Sequence, residues 1–108
     1  MKLKFKIGDF VEAAIYGKKF MIENIEDNFY VSNGISYSEC DLKLWIPEHN
    51  EWCAFYNSKL NAPIIARFNK IFSKSFIVEV YEDDVIRRKH FDFAIPISEL
   101  NTHFYLFS

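Results

Sequence analysis

Apolar and polar side chains alternate with a period of two at the start of the chain. In residues 2–7 (KLKFKI), a strand would direct Leu3, Phe5 and Ile7 to a core and the three lysines to water. Lysines along an exposed strand discourage pairing with another chain. The pattern therefore predicts an edge strand at the N-terminus.

Short apolar segments separated by polar turns fill the rest of the first half. Asn33-Gly34 gives the strongest hairpin signal, because both central positions of a type I′ turn need positive φ, which Asn and Gly tolerate. Residues 39–45 predict a short helical or 3₁₀ turn, and Pro47 prevents a longer helix. Strands are predicted at residues 10–16, 20–25, 29–32 and 35–38.

The same order of elements recurs from residue 52 onward, which predicts an internal repeat. An acid, an aromatic residue and a small apolar residue open each copy, as residues 9–11 (DFV) and 51–53 (EWC). Residues 29–31 (FYV) and 76–78 (FIV) correspond in the same way. The repeat predicts two domains, residues 1–47 and 48–108, with second-copy strands at residues 52–57, 64–70, 76–80 and 85–91 and a closing segment at 92–97.

The segments that open the two copies carry a resemblance to a known superfamily. Residues 8–11 (GDFV) with Ala13, and residues 51–55 (EWCAF), each begin a meander of strands that ends in a short turn. In tandem, this pattern resembles the Tudor and SH3-like small-barrel superfamily. The resemblance implies an all-β fold of two small barrels, each of four to five antiparallel strands, packed as one unit with short 3₁₀ turns. It also implies a binding module without specifying the ligand.

The resemblance also implies candidate positions for an aromatic cage. Tudor domains that read methylated lysine or arginine surround the cation with aromatic rings near the loops, beside an acid. The positions implied are Tyr16 and Tyr37 in the first copy, and Tyr56 and Tyr81 with Asp83 or Asp84 in the second. No complete cage motif is present in either copy.

Composition indicates a globular, cytoplasmic protein. The 108 residues are 50% hydrophobic and include 12 Phe, 6 Tyr and 2 Trp, enough large side chains for a core. No apolar run approaches the roughly 20 residues that span a bilayer, and the N-terminal alternation is unlike a signal peptide. We expect a monomer or homodimer that binds no membrane. The aromatic residues 104–107 (FYLF) are expected to dock beside the N-terminal strand or to form a dimer edge.

No motif in the chain predicts catalysis, a cofactor or a metal. Cys40, His49, Cys53 and His90 lack the paired spacing of zinc ligands, and no C-x-x-C is present. The three glycines are isolated, so no phosphate-binding loop is predicted. We therefore expect a protein that acts by binding and not as an enzyme.

The charge distribution suggests two kinds of partner. Residues 23–51 hold seven acids against one lysine, whereas residues 52–78 hold four basic residues and no acid. Small aromatic-rich chains of this kind, rich in residues with AT-rich codons, are typical of phage-encoded inhibitors of host nucleic-acid-binding defence proteins, such as anti-CRISPR proteins. An acidic surface on such an inhibitor would block a basic channel on its target.

The first hypothesis is a protein-binding module of this type. Its candidate contact residues are Glu23, Glu26, Asp27, Glu39, Asp41, Trp52, Tyr56, Tyr81, Asp83 and Asp84. The alternative is a nucleic-acid-binding protein that uses the basic second copy, with bases stacked on exposed aromatic rings. Its candidate contact residues are Arg67, Lys70, Lys74, Arg87 and Lys89.

Overall fold

The computed structural model describes residues 3–15, 17–58 and 62–100. These residues form eleven β-strands and two short 3₁₀ helices, and no α-helix occurs among them. The prediction of an all-β fold is therefore confirmed. The chain divides into two compact units, which we call unit 1 (Met1–Trp45) and unit 2 (Ile46–Ser108).

Unit 1 contains two three-stranded antiparallel sheets with the strand orders β2-β1-β6 and β3-β4-β5. Ile22 donates its backbone N–H to the carbonyl of Asp9 beside the first sheet, and Glu23 donates to Val31 in the second, both at 2.9 Å. The segment from β2 to β3 thus bends from one sheet into the other. The strands are β1 (Phe10–Ala13), β2 (Lys19–Met21), β3 (Asn24–Glu26), β4 (Phe29–Ser32), β5 (Ile35–Tyr37) and β6 (Leu42–Leu44), with a 3₁₀ helix at Glu39–Asp41.

The core of unit 1 is built around Tyr30. Its side chain is fully buried, its hydroxyl accepts the backbone N–H of Phe5 at 3.2 Å, and the two rings meet edge to face. Since a buried hydroxyl without a partner would be costly, this bond accounts for a tyrosine in an apolar cluster. The other buried members of the cluster are Val11, Ala13, Phe20, Ile22 and Leu42.

The predicted N-terminal strand is wrong for the residues that the structure describes. Residues 3–9 form bends and turns; Phe5 is buried, but Leu3 and Ile7 are exposed. The reason is the Asp9 carboxylate, which accepts the backbone N–H of Lys6 and also its ammonium, both at 3.0 Å. A side chain that bonds the backbone three residues away offers an alternative to a strand ladder.

Unit 2 is one five-stranded antiparallel sheet with the strand order β11-β7-β8-β9-β10. Asp92 alone separates β10 from β11, and its backbone N–H donates to the Asn57 side chain at 2.9 Å. Because these strands lie at opposite edges of the sheet, the sheet curls to bring its edges together at this corner. The strands are β7 (Trp52–Tyr56), β8 (Ile64–Phe72), β9 (Ser75–Glu82), β10 (Val85–Phe91) and β11 (Phe93–Pro96), with a 3₁₀ helix at Ile97–Glu99.

The curled sheet encloses an aromatic core. The Phe55 ring lies 6.5 Å from that of Phe68, 6.4 Å from Phe76 and 6.1 Å from Phe91, centroid to centroid. Val78 is fully buried in the same unit. Since β10 and β11 do not pair with each other, the ladder of the described residues is open and forms no closed barrel.

The two units share one order of pairing. In each, the last strand returns to pair antiparallel with the first, β6 with β1 and β11 with β7. The segments that open the predicted repeat, residues 9–11 and 51–53, enter β1 and β7. The membership of a small-barrel superfamily stays a prediction.

Residues 39–45 differ from the predicted helical turn. The 3₁₀ helix ends at Asp41, and Leu42–Leu44 continue as β6. Pairing explains the difference, because Leu42 lies opposite Ala13 and Leu44 opposite Val11 of β1. Two second-copy strands are also longer than predicted, since β8 continues to Phe72 and β9 to Glu82. The aromatic residues 104–107 lie outside the described residues.

Four hairpins close with two-residue turns in which both central residues have positive φ. The values are 47° and 68° at Asp27-Asn28, 52° and 75° at Asn33-Gly34, 49° and 65° at Ser73-Lys74, and 50° and 62° at Asp83-Asp84. This is the type I′ geometry predicted at Asn33-Gly34. The sequence predicts a turn at residues 72–75, but not its type I′ geometry, because neither Ser73 nor Lys74 favours the left-handed region.

We expect the double variant Ser73→Asn/Lys74→Gly to stabilise the protein by about 1–2 kcal/mol, because Asn and Gly adopt these φ values with less strain. Chemical denaturation of the variant and the native chain measures the difference. The reverse exchange, Asn33→Ser/Gly34→Lys, is the matched control and should destabilise. Equal or lower stability of the first variant would contradict the role of these φ values.

Candidate protein-binding surface

Cross-strand pairing places one row of side chains on the solvent side of the unit 2 sheet. Residues paired directly across neighbouring strands project from the same face. The row crosses four strands as Trp52, Arg67, Glu79 and Arg88. Their chain neighbours Cys53 and Val78 are fully buried, because successive side chains of a strand alternate between faces. We call the face that carries this row the outer face of unit 2.

An open groove of about 430 Å³ lies on the outer face. Four of its lining side chains are large, apolar and solvent-exposed: Trp52 (53% exposed), Ile65 (49%), Tyr81 (69%) and Ile86 (64%). The guanidinium carbon of Arg67 lies 5.1 Å from the centroid of the Trp52 ring, a cation–π contact. We call these five residues the outer groove.

The ladder explains how sequence-distant residues meet in the outer groove. Trp52 begins β7 and pairs with Arg67 of β8, while Ile65, two residues before Arg67, is on the same face. Tyr81 near the end of β9 pairs with Ile86 of β10 across the Asp83-Asp84 turn. The groove thus draws on four consecutive strands and depends on their register.

The outer face has more basic than acidic side chains. Besides Arg67 and Arg88, it carries Lys70 and His90, which lie on either side of Ile77 in the next row. Glu79 is the one acid among the residues of these two rows.

The basic side chains of this face form no ion pair within the described part of the chain, although Glu79 lies opposite both Arg67 and Arg88. Glu79 accepts a hydrogen bond from the amide of Asn69 at 3.1 Å. None of the ion pairs between described residues includes Arg67, Lys70 or Arg88. Positive charge on this face is therefore available to a partner.

The basic patch predicted from the sequence is not assembled as expected. Arg87 and Lys89 pair with Val80 and Val78, which puts them on the face opposite Arg67. Lys89 is also engaged with Glu82, its Nζ 2.6 Å from Oε1, and this bond lowers the pKa of that carboxyl.

Two other members of the predicted patch are separated as well. Lys74 lies in the Ser73-Lys74 turn, whereas Lys70 is on the outer face. Arg88 and His90 take the places expected for Arg87 and Lys89 beside Arg67. The sequence shows that Arg87 and Lys89 lie on one face of β10 and Arg88 and His90 on the other. Which of these faces carries Arg67 depends on the pairing of β10 with β9.

The second-copy aromatic cage is contradicted by burial. Tyr56 is 1% exposed and stacks on Phe93 with ring centroids 5.0 Å apart, so its ring is not accessible to a ligand. Tyr81 is on the outer face, and Asp83 and Asp84 form the adjoining turn. Tyr56 is therefore not a contact residue for a protein or for a stacked base, whereas Trp52 and Tyr81 are exposed.

The first-copy cage is only partly within the described residues, because Tyr16 lies outside them. Tyr37 stacks on Phe20 at 4.6 Å and lines a pocket of about 340 Å³ in unit 1. The pocket also contains Lys18 and Asp41. Lys18 and Asp41 together give the pocket no net negative charge to attract a further cation.

The predicted acidic contact residues do not form one group. Glu23 accepts hydrogen bonds from the Ser32 hydroxyl and the Asn33 backbone, so it stabilises the turn between β4 and β5. Glu26 and Asp27 lie at the other end of β3, where both are exposed. Glu39 and Asp41 are half-buried in the first 3₁₀ helix.

The cysteines and histidines form no metal site among the described residues. No group of three or more His, Cys, Asp or Glu side chains in those residues could hold a metal ion. Burial raises the pKa of Cys53 to about 12, with a further contribution from Glu51. A thiol with this pKa is protonated near neutrality and is not a nucleophile.

Comparison with known proteins gives no relative: no protein-family model, curated protein or solved structure matches this chain. None of the helices in the described residues has the length and apolar character needed to cross a membrane.

The difference in burial predicts different reactivity of the two cysteines. Cys40 is exposed and Cys53 is buried with a raised pKa. With an aromatic disulfide reagent at pH 8, we expect one fast-reacting thiol in the native chain and none in Cys40→Ser until denaturant is added. A fast reaction of folded Cys40→Ser would contradict the burial of Cys53.

The raised pKa also predicts a loss of stability at high pH. Since the pKa of Cys53 is higher in the folded chain than its ordinary value of 9.0, its contribution is complete below 9.0 and is lost as the pH rises toward 12. The unfolding free energy should fall more steeply between pH 9 and 11 in the native chain than in Cys53→Ala. Cys40→Ala is the control and should follow the native slope.

Proposed function

We propose that this chain is a non-catalytic protein-binding module whose contact surface is the outer groove of unit 2. The observation that carries the proposal is the grouping of Trp52, Ile65, Tyr81 and Ile86, each about half or more exposed, around one arginine. Contiguous exposed apolar side chains mark interaction sites on soluble proteins. Trp, Tyr and Arg are also the residues that most often dominate the binding energy of interfaces.

The shape and chemistry of the groove favour a protein over a small molecule. It is open on the face of a sheet, and two of its exposed side chains, Ile65 and Ile86, are aliphatic. Small-molecule sites are concave and bury most of the surface of the ligand, which an open groove on a sheet does not do. The partner surface that fits it is apolar at the centre.

The apolar side chains of the outer groove offset much of the cost of association but do not by themselves supply the affinity. Burying a large apolar side chain contributes about 1.5–3 kcal/mol, and the outer groove provides four such side chains. Their sum is comparable with the cost of association, about 4–15 kcal/mol. Further contacts around the groove, above all with Arg67 and Arg88, would supply the remaining affinity.

The sequence led to the hypothesis that the partner is a host defence protein, which this chain would inhibit in the manner of an anti-CRISPR protein. This stays a hypothesis. Among its acidic residues, Glu26 and Asp27 are exposed at the hairpin between β3 and β4. They would meet a basic surface on the target. This contact would be additional to the outer groove, because it belongs to the other unit.

A second candidate is the binding of single-stranded nucleic acid by the same outer face. Arg67, Lys70 and Arg88 share the face with the exposed rings of Trp52 and Tyr81. Basic side chains that interleave with exposed aromatic rings match the chemistry of single-strand binding. Such binding would weaken steeply with salt.

The test is affinity capture from a host-cell lysate, split into nuclease-treated and untreated halves and analysed by mass spectrometry. We expect the native chain to retain one protein after nuclease treatment. Trp52→Ala/Tyr81→Ala should reduce its recovery at least tenfold, because two anchors of the groove are lost.

Phe72→Ala is the matched control for this experiment. Phe72 is a 67% exposed aromatic residue of the same sheet, and the six residue steps along β9 from Ser75, its partner, to Tyr81 span about 20 Å. The Phe72→Ala variant should capture the same protein in the same amount as the native chain. Undiminished recovery by the double variant would refute the outer groove as the contact surface, and recovery lost on nuclease treatment would favour the nucleic-acid candidate.

A further inference from the structure

The strand β10 forms an edge of the unit 2 sheet. It pairs along all seven of its residues with β9, and no hydrogen bond among the described residues reaches its other side. Its side chains are also the most exposed of any strand in the unit, with five of seven in water. An edge of this kind presents unpaired backbone groups to solvent.

The turn determines which backbone groups are unpaired. Glu82 and Val85 close the two-residue Asp83-Asp84 turn, so they form a hydrogen-bonded pair. Hydrogen-bonded and non-hydrogen-bonded pairs alternate along an antiparallel ladder. The backbone N–H and C=O groups directed away from β9 are therefore those of Ile86, Arg88 and His90.

The free edge is continuous with the outer groove. Ile86 and Arg88 project their side chains from the outer face, and Ile86 lines the groove beside Tyr81. A strand added to β10 would therefore extend the sheet that carries the groove. Backbone hydrogen bonds and side-chain contacts would be available to the same partner.

Charge disfavours the pairing of β10 with a second copy of itself in full overlap. In antiparallel self-pairing centred on Arg88, that arginine would face its own copy and Arg87 would face Lys89. Like charges directly opposite one another in a sheet destabilise the pairing. Arg87 and Arg88 form no ion pair among the described residues, whereas Lys89 is paired with Glu82.

We infer that β10 binds an extended acidic segment of the partner protein, which adds to the sheet as an antiparallel strand. The inference rests on the proposed protein-binding function and specifies how the partner is held. The segment places an aliphatic residue opposite Ile86 and carboxylates opposite Arg87 and Arg88. Strand addition supplies affinity through the backbone, and alternate side chains supply the specificity.

The test uses a synthetic peptide, acetyl-ETEEVT-amide, which places its valine opposite Ile86 and glutamates opposite Arg87 and Arg88. Its lysine counterpart, acetyl-KTKKVT-amide, is the matched control. Binding is measured by titration of the ¹⁵N-labelled protein at low salt. We expect the acidic peptide to shift the β10 amide signals in a saturable way and the lysine peptide to leave them unchanged. No binding of the acidic peptide, or equal binding of both peptides, would overturn the inference.

Two substitutions of Arg88 separate the backbone from the side chain. Arg88→Ala removes the charge but keeps the outward N–H, whereas Arg88→Pro removes both. Proline is tolerated on an edge strand where the missing N–H faces solvent, so the ladder to β9 is retained. We expect Arg88→Pro to bind the acidic peptide at least fivefold more weakly than Arg88→Ala. Equal affinities of the two variants for the acidic peptide would mean that charge alone attracts it, as it would attract a nucleic acid to the same side chains. That result would refute strand addition.

Hydrogen exchange of the native chain gives a second measurement that does not depend on the folding of Arg88→Pro. In the free protein, the amides of Ile86, Arg88 and His90 should exchange faster than those of Arg87 and Lys89, which bond to β9. A saturating amount of the acidic peptide should slow the three outward amides at least tenfold. Unchanged exchange at these positions would also refute the inference.

The outcomes distinguish this inference from the proposed function. If the captured protein depends on Trp52 and Tyr81 but is held equally by Arg88→Ala and Arg88→Pro, the outer groove stands and strand addition at β10 is wrong. If Arg88→Pro loses the acidic peptide while Trp52→Ala/Tyr81→Ala still captures the protein, strand addition stands and the outer groove is wrong.

Discussion

Two-residue turns in the left-handed region constrain the register of the hairpins in both units. Side chains alternate between the faces of a strand, so a slip of one residue would exchange the core face for the solvent face. The Asp83-Asp84 turn aligns Ile86 with Tyr81 and Arg88 with Glu79. The outward backbone groups of β10, and the place of Ile86 beside Tyr81 in the outer groove, therefore follow from the geometry of this turn.

The sequence was most informative where local chemistry decides the structure. Asn33-Gly34 predicted its own turn, and β10 has the predicted bounds because Asp83-Asp84 and Asp92 delimit a run of strand-forming residues. The sequence pattern predicted the wrong structure where a side chain competes with the hydrogen bonds between strands. The N-terminal alternation is a good strand pattern, but the Asp9 carboxylate bonds the backbone of Lys6 and holds a turn there.

The candidate site was predictable only in part for a different reason. Trp52 and Tyr81 were recognisable as aromatic residues near strand ends, and both line the outer groove. Tyr56 has the same character in the sequence but is buried, because it pairs with Phe93 across two strands distant in sequence. Which of Arg87 and Arg88 joins Arg67 depends on register across three strands and on the irregularity between Phe68 and Lys70, which no local pattern reveals.

The strands of unit 2 contribute unequally to its core. Phe55, Phe68 and Phe76 build the core from β7, β8 and β9, whereas most of β10 is exposed and contributes Phe91 at its end. Its order comes from the backbone ladder to β9 and from the ion pair of Lys89 with Glu82. Because the core does not depend on the other side chains of β10, that strand can carry arginines and an exposed isoleucine without loss of packing. A strand held by its backbone and free in its side chains is well suited to bind a partner.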